Sequence, residues 1–168
     1  MALIHGDNTV FENTVTAMKG LMDNLKTAMD SAGDDPRPSA IYDTHNRHSV
    51  AFPSISVGIY SASVLESEAG IGNAGEIALP MRITCEIRIH LDYENGYMDK
   101  VKFWRLANSV MNYLTTDMNS YFKTNLTGYK APIYEDMEFS SDEYFEESLT
   151  LGGYIRIGLL VVFSHAQN

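Results

Sequence analysis

The sequence predicts an α+β fold in which a mixed or antiparallel sheet of four to five strands carries two amphipathic helices on one face. Two segments repeat apolar residues with the period of a helix, and others alternate apolar and polar residues with the period of a strand. These segments follow one another as helix, strands, helix, strands, an order typical of helices packed on a single sheet. The length of 168 residues favours one domain over residues 1–168.

The first helix is predicted over residues 9–32. Apolar side chains recur there at spacings of four, three, four, three and four, which places six of them on one face: Phe11, Val15, Met18, Met22, Leu25 and Met29. Gly33 follows the last turn, and Pro36 and Pro38 prevent continuation. The second helix is predicted from Tyr97 to about Leu126. Its apolar stripe consists of Val101, Trp104, Met111, Leu114, Met118 and Phe122, all interpreted as core.

Strands are predicted before and after the second helix. Residues 54–60 alternate isoleucine and valine with serine and glycine. The longest alternation runs over residues 81–93, with apolar residues on one face and charged or polar residues on the other. That polar face is expected to be wet or to meet another polar surface. A strand that includes Met137 and Phe139, and a last apolar strand over 153–163, complete the predicted sheet.

Two further segments are predicted to lie outside these elements. Residues 61–79 are rich in serine, alanine, glycine and glutamate and lack a clear period, which indicates a long flexible loop. Residues 135–147 hold seven acids and no base. This acidic segment is interpreted either as a solvated hairpin or loop, or as an acidic surface that a ring of subunits repeats around a channel, where it repels DNA.

Net charge and composition exclude several classes of function. A formal charge of −10 disfavours specific binding of DNA or RNA, because contacts with phosphate supply most of that affinity. No apolar run approaches the roughly 20 residues that span a bilayer, and residues 1–7 lack the basic start and apolar stretch of a signal peptide. The single cysteine allows neither an internal disulfide framework nor a multi-cysteine zinc site. We therefore expect a soluble protein made in a reducing cytosol.

No motif in the sequence indicates catalysis, so an enzyme is not expected and no cofactor is predicted. Residues 70–75 match the letters G-x-G-x-x-G, but a strand and not a helix follows them, and the phosphate-binding geometry of that fingerprint needs the helix. Cys85 lies on the apolar face of the long strand, where a small core residue is a better interpretation than a nucleophile. Asp43, His45 and His48 have the ligand chemistry of a transition-metal site. They leave a small metal-dependent cytosolic enzyme as the alternative from another class.

The order of predicted helices and strands over residues 9–164 can also be compared with that of known protein families. An N-terminal amphipathic helix leads to Ser54–Ile59 and a loop, then to Arg82–Ile89, a helix beginning at Asp99–Val101 and a late apolar strand. In layout and size the chain resembles the tail terminator (tail completion) proteins of long-tailed bacteriophages. The resemblance implies a structural virion protein that forms a ring of six subunits, caps the finished tail tube, ends its polymerisation and joins it to the head or neck. Another head–tail connector, a stopper or adaptor of the neck, is the alternative within this class.

The resemblance also implies partners and a location. The partners are further copies of the chain in a ring, the tail tube protein, neck or connector proteins, and DNA that passes through the channel without specific binding; no membrane is involved. The protein is expected in the tail or neck of the virion, after assembly in the host cytoplasm. The loop is expected to contact a neighbouring subunit or an adjoining ring through Glu66, Glu68, Gly70, Ile71, Gly72, Asn73 and Gly75. The acids expected to line the channel are Asp142, Glu143, Glu146 and Glu147, with Glu66 and Glu68 as second choices.

Overall fold

Three α-helices and six β-strands make up the part of the chain that the structure, a computed structural model, describes: residues 9–43, 51–65, 70–71, 76–92, 97–145 and 150–166. The helices are α1 (Thr9–Ala32), α2 (Tyr97–Thr116) and α3 (Met118–Asn125). The strands are β1 (Ala40–Tyr42), β2 (Ser54–Val64), β3 (Gly70–Ile71), β4 (Glu76–Asp92), β5 (Tyr129–Phe145) and β6 (Thr150–Ala166). α1 has the bounds that its periodicity predicts.

The strands form one mixed sheet. Their order is β1-β2-β4-β6-β5, and the two-residue β3 pairs with β4 beside this path. β1 runs parallel to β2, whereas every other described pair is antiparallel. β4 and β6 pair along their whole length, from Glu76 opposite Ala166 to Asp92 opposite Thr150. The predicted α+β fold with a mixed sheet is confirmed.

One face of the sheet packs against the helices. Alternate residues of the central strands point to this face and are buried: Ile55, Val57, Ile83, Cys85, Ile87, Ile89, Ile155, Ile157 and Leu159. Burial of apolar surface on this scale stabilises the fold by roughly 25 cal/mol for each Å² removed from water. Because side chains alternate along a strand, the charged residues between these positions are directed to the second face.

α1 buries most of the stripe that its spacing predicts. Met18, Met22, Leu25 and Met29 lie in the core, together with Leu21. At the start of the helix Phe11 is 39% exposed. The stripe therefore meets the sheet along the middle and end of α1.

In α2 the buried stripe differs from the predicted one. Phe103, Leu106, Val110 and Leu114 are buried, and the prediction that Trp104 belongs to the core is wrong, because this side chain is 52% exposed. Apolar residues cover a wide arc of α2, and both sets have helical spacing. The docking of the helix on the sheet decides which part of the arc is buried, and the sequence of the helix alone does not contain that information.

The predicted second helix is interrupted at Asp117 and continues as α3. Asp117 is the N-cap residue of α3, and its side chain makes no capping hydrogen bond but accepts one from Thr116 Oγ1, with Oδ2 2.6 Å away. The Asp117 N–H still bonds Tyr113 O at 2.9 Å, so the helical path changes little, and Met118 and Phe122 are buried as predicted. None of the helices in the described part of the chain is long and apolar enough to cross a membrane.

Strands extend into both the predicted loop 61–79 and the acidic segment 135–147. β2 continues to Val64 and β4 begins at Glu76, so only the middle of the predicted loop 61–79 lies outside these two long strands. β5 runs from Tyr129 to Phe145 and includes most of the acidic segment. The acidic segment 135–147, expected as a solvated hairpin or loop, belongs up to Phe145 to this edge strand, which contains the Met137 and Phe139 of the predicted strand and pairs antiparallel with β6, the next strand along the chain. Pairing with the strongly apolar β6 outweighs the low β-propensity of its acids.

Candidate functional site

The second face of the sheet carries a network of ion pairs. Arg156 of β6 lies opposite Glu86 of β4 and opposite Glu138 of β5, so three charged residues form one row across the strands. Arg156 Nε donates to Glu86 Oε2 at 2.7 Å, and Arg156 Nη1 lies 3.4 Å from Glu138 Oε2. Arg88 Nε donates to the other oxygen of Glu86 at 2.6 Å. Two guanidinium groups thus hold a carboxylate that is only 2% exposed.

The surroundings of Glu86 favour its charged form. Burial raises the pKa of a carboxyl group, but hydrogen bonds and charges from Arg88 and Arg156 outweigh burial and lower the pKa of Glu86 below its ordinary value. Burial lowers the pKa of Arg156, but the hydrogen bond and the charge of Glu86 outweigh burial, so the pKa is raised overall. The pair is ionised at neutral pH and serves as a fixed structural centre of the second face.

Two tyrosines enclose the Arg156 guanidinium. Its central carbon lies 3.6 Å from the ring centroid of Tyr60 and 4.2 Å from that of Tyr154. A cation over an aromatic ring is attracted to the ring's negative face, by roughly 0.5–2 kcal/mol according to its exposure. Tyr60 is nevertheless 56% exposed, so the stack leaves an aromatic surface available at the end of β2.

A bulge of β5 folds over the second face beside this network. Between Ile133 and Glu138, four residues of β5 stand opposite one residue of β6, which directs Asp136 inward over Gly158. A Cβ atom at Gly158 would lie 2.6 Å from Asp136 Oδ2 and 3.2 Å from Asp136 Cβ, so a larger residue there would have to displace Asp136. Asp136 Oδ2 reaches Arg82 Nε of β4 at 3.3 Å. This ion pair fastens the bulge across β6.

The bulge and the end of β2 border a groove of about 590 Å³, which we name the β2–β5 groove. It is lined by Tyr60, Ser61, Ser63, Arg82, Thr84, Glu135, Asp136, Met137, Glu138 and Arg156. Both arginines are paired with acids, whereas Glu135 is exposed and Glu138 is 57% exposed. The groove therefore presents an acidic rim, a wall of hydroxyl groups and the exposed ring of Tyr60.

A second exposed surface lies on the helical side of the sheet. Trp104 of α2 packs on Phe103 and on Phe139 of β5, with ring centroids 5.7 Å and 5.2 Å away, and is still 52% exposed. Lys100 and Arg105 beside it are exposed as well. We name these three residues, Lys100, Trp104 and Arg105, the Trp104 patch. It combines a large aromatic side chain with two bases in a chain of charge −10.

The residues predicted for the subunit-contact loop are described only in part. Gly70 and Ile71 form β3 and pair with Ala78 and Ile77 of β4. The other five residues lie outside the described residues: Glu66, Glu68, Gly72, Asn73 and Gly75. The predicted contact remains a prediction.

The predicted channel acids are also described in part. Asp142 and Glu143 belong to β5, and Asp142 pairs with Gly152 of β6. Glu146 and Glu147 follow β5 and lie outside the described residues. Asp142 and Glu143 thus belong to one end of an edge strand, and the channel assignment of all four acids remains a prediction.

Cys85 is a core residue, as its place on the apolar strand face predicts. The side chain is 1% exposed, and burial raises the pKa of its thiol to about 12, so the thiol stays protonated at neutral pH. Of the metal-site alternative, Asp43 is exposed after β1, and His45 and His48 lie outside the described residues.

The alternation of β4 and β6 predicts that Arg82, Glu86 and Arg156 lie on polar strand faces, yet it does not predict that they meet. Their meeting depends on which strands pair and in which register, and those pairings join residues about 70 positions apart. The bulge of β5 depends on the same strand pairing, whereas the exposure of Trp104 depends on how α2 docks on the sheet. The sequence does contain one sign of the groove: the end of β2 has no charged residue, whereas β4 carries arginines. This sign can be interpreted only once β2 is known to pair with β4.

Comparisons with known proteins give little beyond this geometry. No family model matches the sequence, and no curated protein matches it. Among solved structures, 26 chains match. One of them is the sheath/tube terminator of an extracellular contractile injection system, PVC, in its extended state, with a TM-score of 0.38 and 12% identity. The match covers 91% of this chain and 59% of that chain, so this protein spans about three fifths of the length of its neighbour. At this TM-score the likeness carries no argument about function.

Proposed function

We infer that this chain is a structural protein of a phage tail, which assembles as a ring, caps the tail tube, ends its polymerisation and joins it to the head or neck. The resemblance in element order motivates the inference, and the α+β fold is the one that the resemblance implies. A ring of six subunits is part of the proposal. DNA passes through its channel without specific binding.

The observation that carries the proposal is the exposed end of β2. From Tyr60 to Val64 the strand is exposed on both of its faces, although Ser61 to Val64 pair in register with Thr84 to Met81 of β4, directly after a bulge at Tyr60. Tyr60 is 56% and Val64 43% exposed. A regular strand with apolar residues uncovered on two sides is expected where another protein covers it. A capping ring supplies such neighbours, both within the ring and in the tube below it.

The loop and the acids have separate roles in this proposal. The segment from Glu66 to Gly75 contacts a neighbouring subunit or the adjoining ring, since it connects the exposed end of β2 to β4. Asp142, Glu143, Glu146 and Glu147 face the channel, where fixed negative charge keeps DNA mobile, because bases and not acids bind phosphate. Glu66 and Glu68 are second choices for the channel.

Growth of tail tubes tests the capping role. Tube protein from the same phage is polymerised with and without the purified chain, and tube lengths are measured by negative-stain electron microscopy. We expect the chain to bind tube ends as a ring and to stop elongation at a substoichiometric ratio. Unchanged tube lengths, or binding to a neck connector ring but not to tube ends, would overturn the proposal and favour another connector role.

A further inference from the structure

The Trp104 patch and the β2–β5 groove have complementary chemistry. The patch presents an indole that is 52% exposed, together with the exposed bases Lys100, about one helical turn before it, and Arg105, the next residue. The groove presents the phenol ring of Tyr60 together with the exposed acids Glu135 and Glu138. Tryptophan, tyrosine and arginine are the side chains most enriched where binding energy is concentrated in protein interfaces. Opposite charges around such aromatic anchors set the orientation of the partner.

We propose that the Trp104 patch of one copy docks in the β2–β5 groove of the next copy, in a head-to-tail contact. The proposal deepens the proposed function, since it names the surfaces by which the ring closes. The groove's volume of about 590 Å³ is in the range of roughly 300–1,000 Å³ in which proteins enclose ligands, so it can take an indole and a flanking base.

The placement of the two surfaces explains why the contact is head-to-tail. Trp104 packs on Phe139, which lies opposite Ile155 on the helical face of the sheet. The groove lies on the other face, beside Arg156 and Thr84. In a two-fold dimer, the patch of each copy would have to dock in the groove of the other copy at the same time. This is impossible here, because the patch and the groove of one copy lie on opposite faces of its sheet. A repeated contact between unlike surfaces gives a ring when its rotation closes.

Single substitutions on each surface test the contact by sedimentation velocity over a range of protein concentrations. Trp104→Ala removes the anchor, and we expect the association to weaken by about thirtyfold or more. Lys100→Glu and Glu135→Lys reverse a charge on the patch and on the groove, and each should weaken association by about tenfold. Phe11→Ala and Lys123→Glu alter an exposed aromatic residue and an exposed base elsewhere and should leave the oligomer unchanged. Circular dichroism confirms that each variant is folded, and Lys100→Glu disrupts no described packing if Trp104→Ala proves unstable.

Two combinations make the test specific. The double variant Lys100→Glu with Glu135→Lys exchanges the charges across every contact, so it should recover the wild-type oligomer. The Trp104→Ala variant keeps an intact groove, and the Glu135→Lys variant keeps an intact patch. An equimolar mixture of the two therefore offers one intact pair of surfaces. We expect that mixture to stop at a one-to-one dimer. Mixtures that form complete rings, or that do not associate, contradict the head-to-tail contact.

The outcomes separate this inference from the proposed function. Single variants that still form rings and still cap tubes overturn the contact and leave the capping role standing. Variants that form rings but no longer bind tubes show that the patch meets the tube protein, which also overturns the contact. A wild-type ring that depends on both surfaces but never binds tube ends supports the contact and contradicts the capping role. A wild-type chain that stays monomeric at all concentrations overturns the contact.

Discussion

Glu86 is a buried acid in the middle of the sheet, and the two arginines that bind it, Arg88 and Arg156, decide how much it contributes to the stability of the fold. The carboxylate is 2% exposed and receives hydrogen bonds from Arg88 and Arg156 at 2.6 Å and 2.7 Å. A buried ion pair costs free energy because its charges lose their water. Removing one partner destabilises the fold far more than replacing the whole pair by apolar residues, because the remaining charge is then buried without compensation. Glu86, Arg88 and Arg156 therefore act as a unit that links β4 to β6, and the contact of Arg156 with Glu138 extends it to β5.

Glu86→Gln should lower the free energy of unfolding at neutral pH by about 1–3 kcal/mol, because it removes the charge that both arginines bind. The folded pKa of Glu86 lies below its unfolded value of about 4.3, so the stabilisation is complete above that pH and is lost as the pH falls through the folded pKa. The difference between wild type and variant should therefore shrink below about pH 4. Urea unfolding at several pH values measures it.

Glu12→Gln serves as the control for this titration, since it removes an exposed acid of α1. It should leave the free energy of unfolding within about 0.5 kcal/mol of wild type at neutral pH. A difference between wild type and Glu86→Gln that grows on acidification would contradict the assigned role of the two arginines.

Two glycines with positive φ allow backbone strain to be separated from steric contact. Gly33 has φ 71° and nothing within 4 Å of the position that a Cβ atom would take, whereas Gly128 has φ 79° and would place Cβ 2.2 Å from the carbonyl oxygen of Val162. Gly33→Ala should cost about 1 kcal/mol from the left-handed conformation alone. Gly128→Ala should cost at least about 2 kcal/mol more, because a strand backbone has to move. Equal losses in urea unfolding of the two variants would refute the contact at Gly128.

At the scale of the elements, the sequence predicts those whose pattern is long and unambiguous. The spacing of Met18, Met22, Leu25 and Met29 predicts α1 to the residue, and the alternation of Ile83 through Ile89 predicts β4. Both patterns result from burial of one face, which each segment carries in its own residues. α1 and β4 are therefore the elements that local information determines.

The rest of the sheet and the candidate site depend on pairing. The sequence predicts a strand around Met137 and Phe139, but the full extent of acidic, irregular β5 depends on its pairing with β6 around the bulge between Ile133 and Glu138. The β2–β5 groove then arises between strands at different places in the sheet order, β2 and β5, with β4 and β6 as its floor. The alternation of residues within one strand does not show which strands are neighbours in the sheet, so the groove could not be predicted from the sequence.

Deletion of Ala69–Gly75 should leave a folded chain that no longer forms rings or enters virions. β3 pairs with only two residues of β4, while β6 pairs with β4 along its whole length, so the core does not depend on β3. The chain should keep its thermal unfolding transition, and sedimentation velocity should report a monomer.

A Gly/Ser segment of the same length in place of Ala69–Gly75 is the matched control for chain connectivity. If the native residues make the contact, this variant should also fail to form rings, and if length alone matters it should form them. Normal rings and normal particles from the deletion would show that the loop has no part in assembly.

At the scale of the whole molecule, charge bears on the passage of DNA. A subunit of charge −10 in a proposed ring of six gives −60 in total, and at about 0.15 M salt the field extends only roughly 8 Å from each charge. In the proposed ring, only side chains beside the channel therefore act on DNA. The proposed candidates stand at one end of β5 and just after it: Asp142, Glu143, Glu146 and Glu147.

Lysine at those four positions should slow or trap DNA ejection from assembled particles, because lysine binds phosphate and acid repels it. The substitution removes four acids and adds four bases, which changes the subunit charge by +8, from −10 to −2. Lysine at four exposed acids elsewhere, Glu12, Asp34, Asp35 and Asp43, gives the same net charge and should leave ejection unchanged. Equal slowing by both variants would show that net charge, and not the channel, is responsible.

The most direct test of the proposed function is electron cryo-microscopy of tail tubes incubated with the wild-type chain. The account predicts a closed ring of this chain seated on one end of each tube, with the exposed end of β2 covered by a neighbouring subunit or by the tube and the acids after β5 directed to the channel. Tubes with bare ends, or copies of the chain bound along the tube wall with no ring at either end, would contradict it.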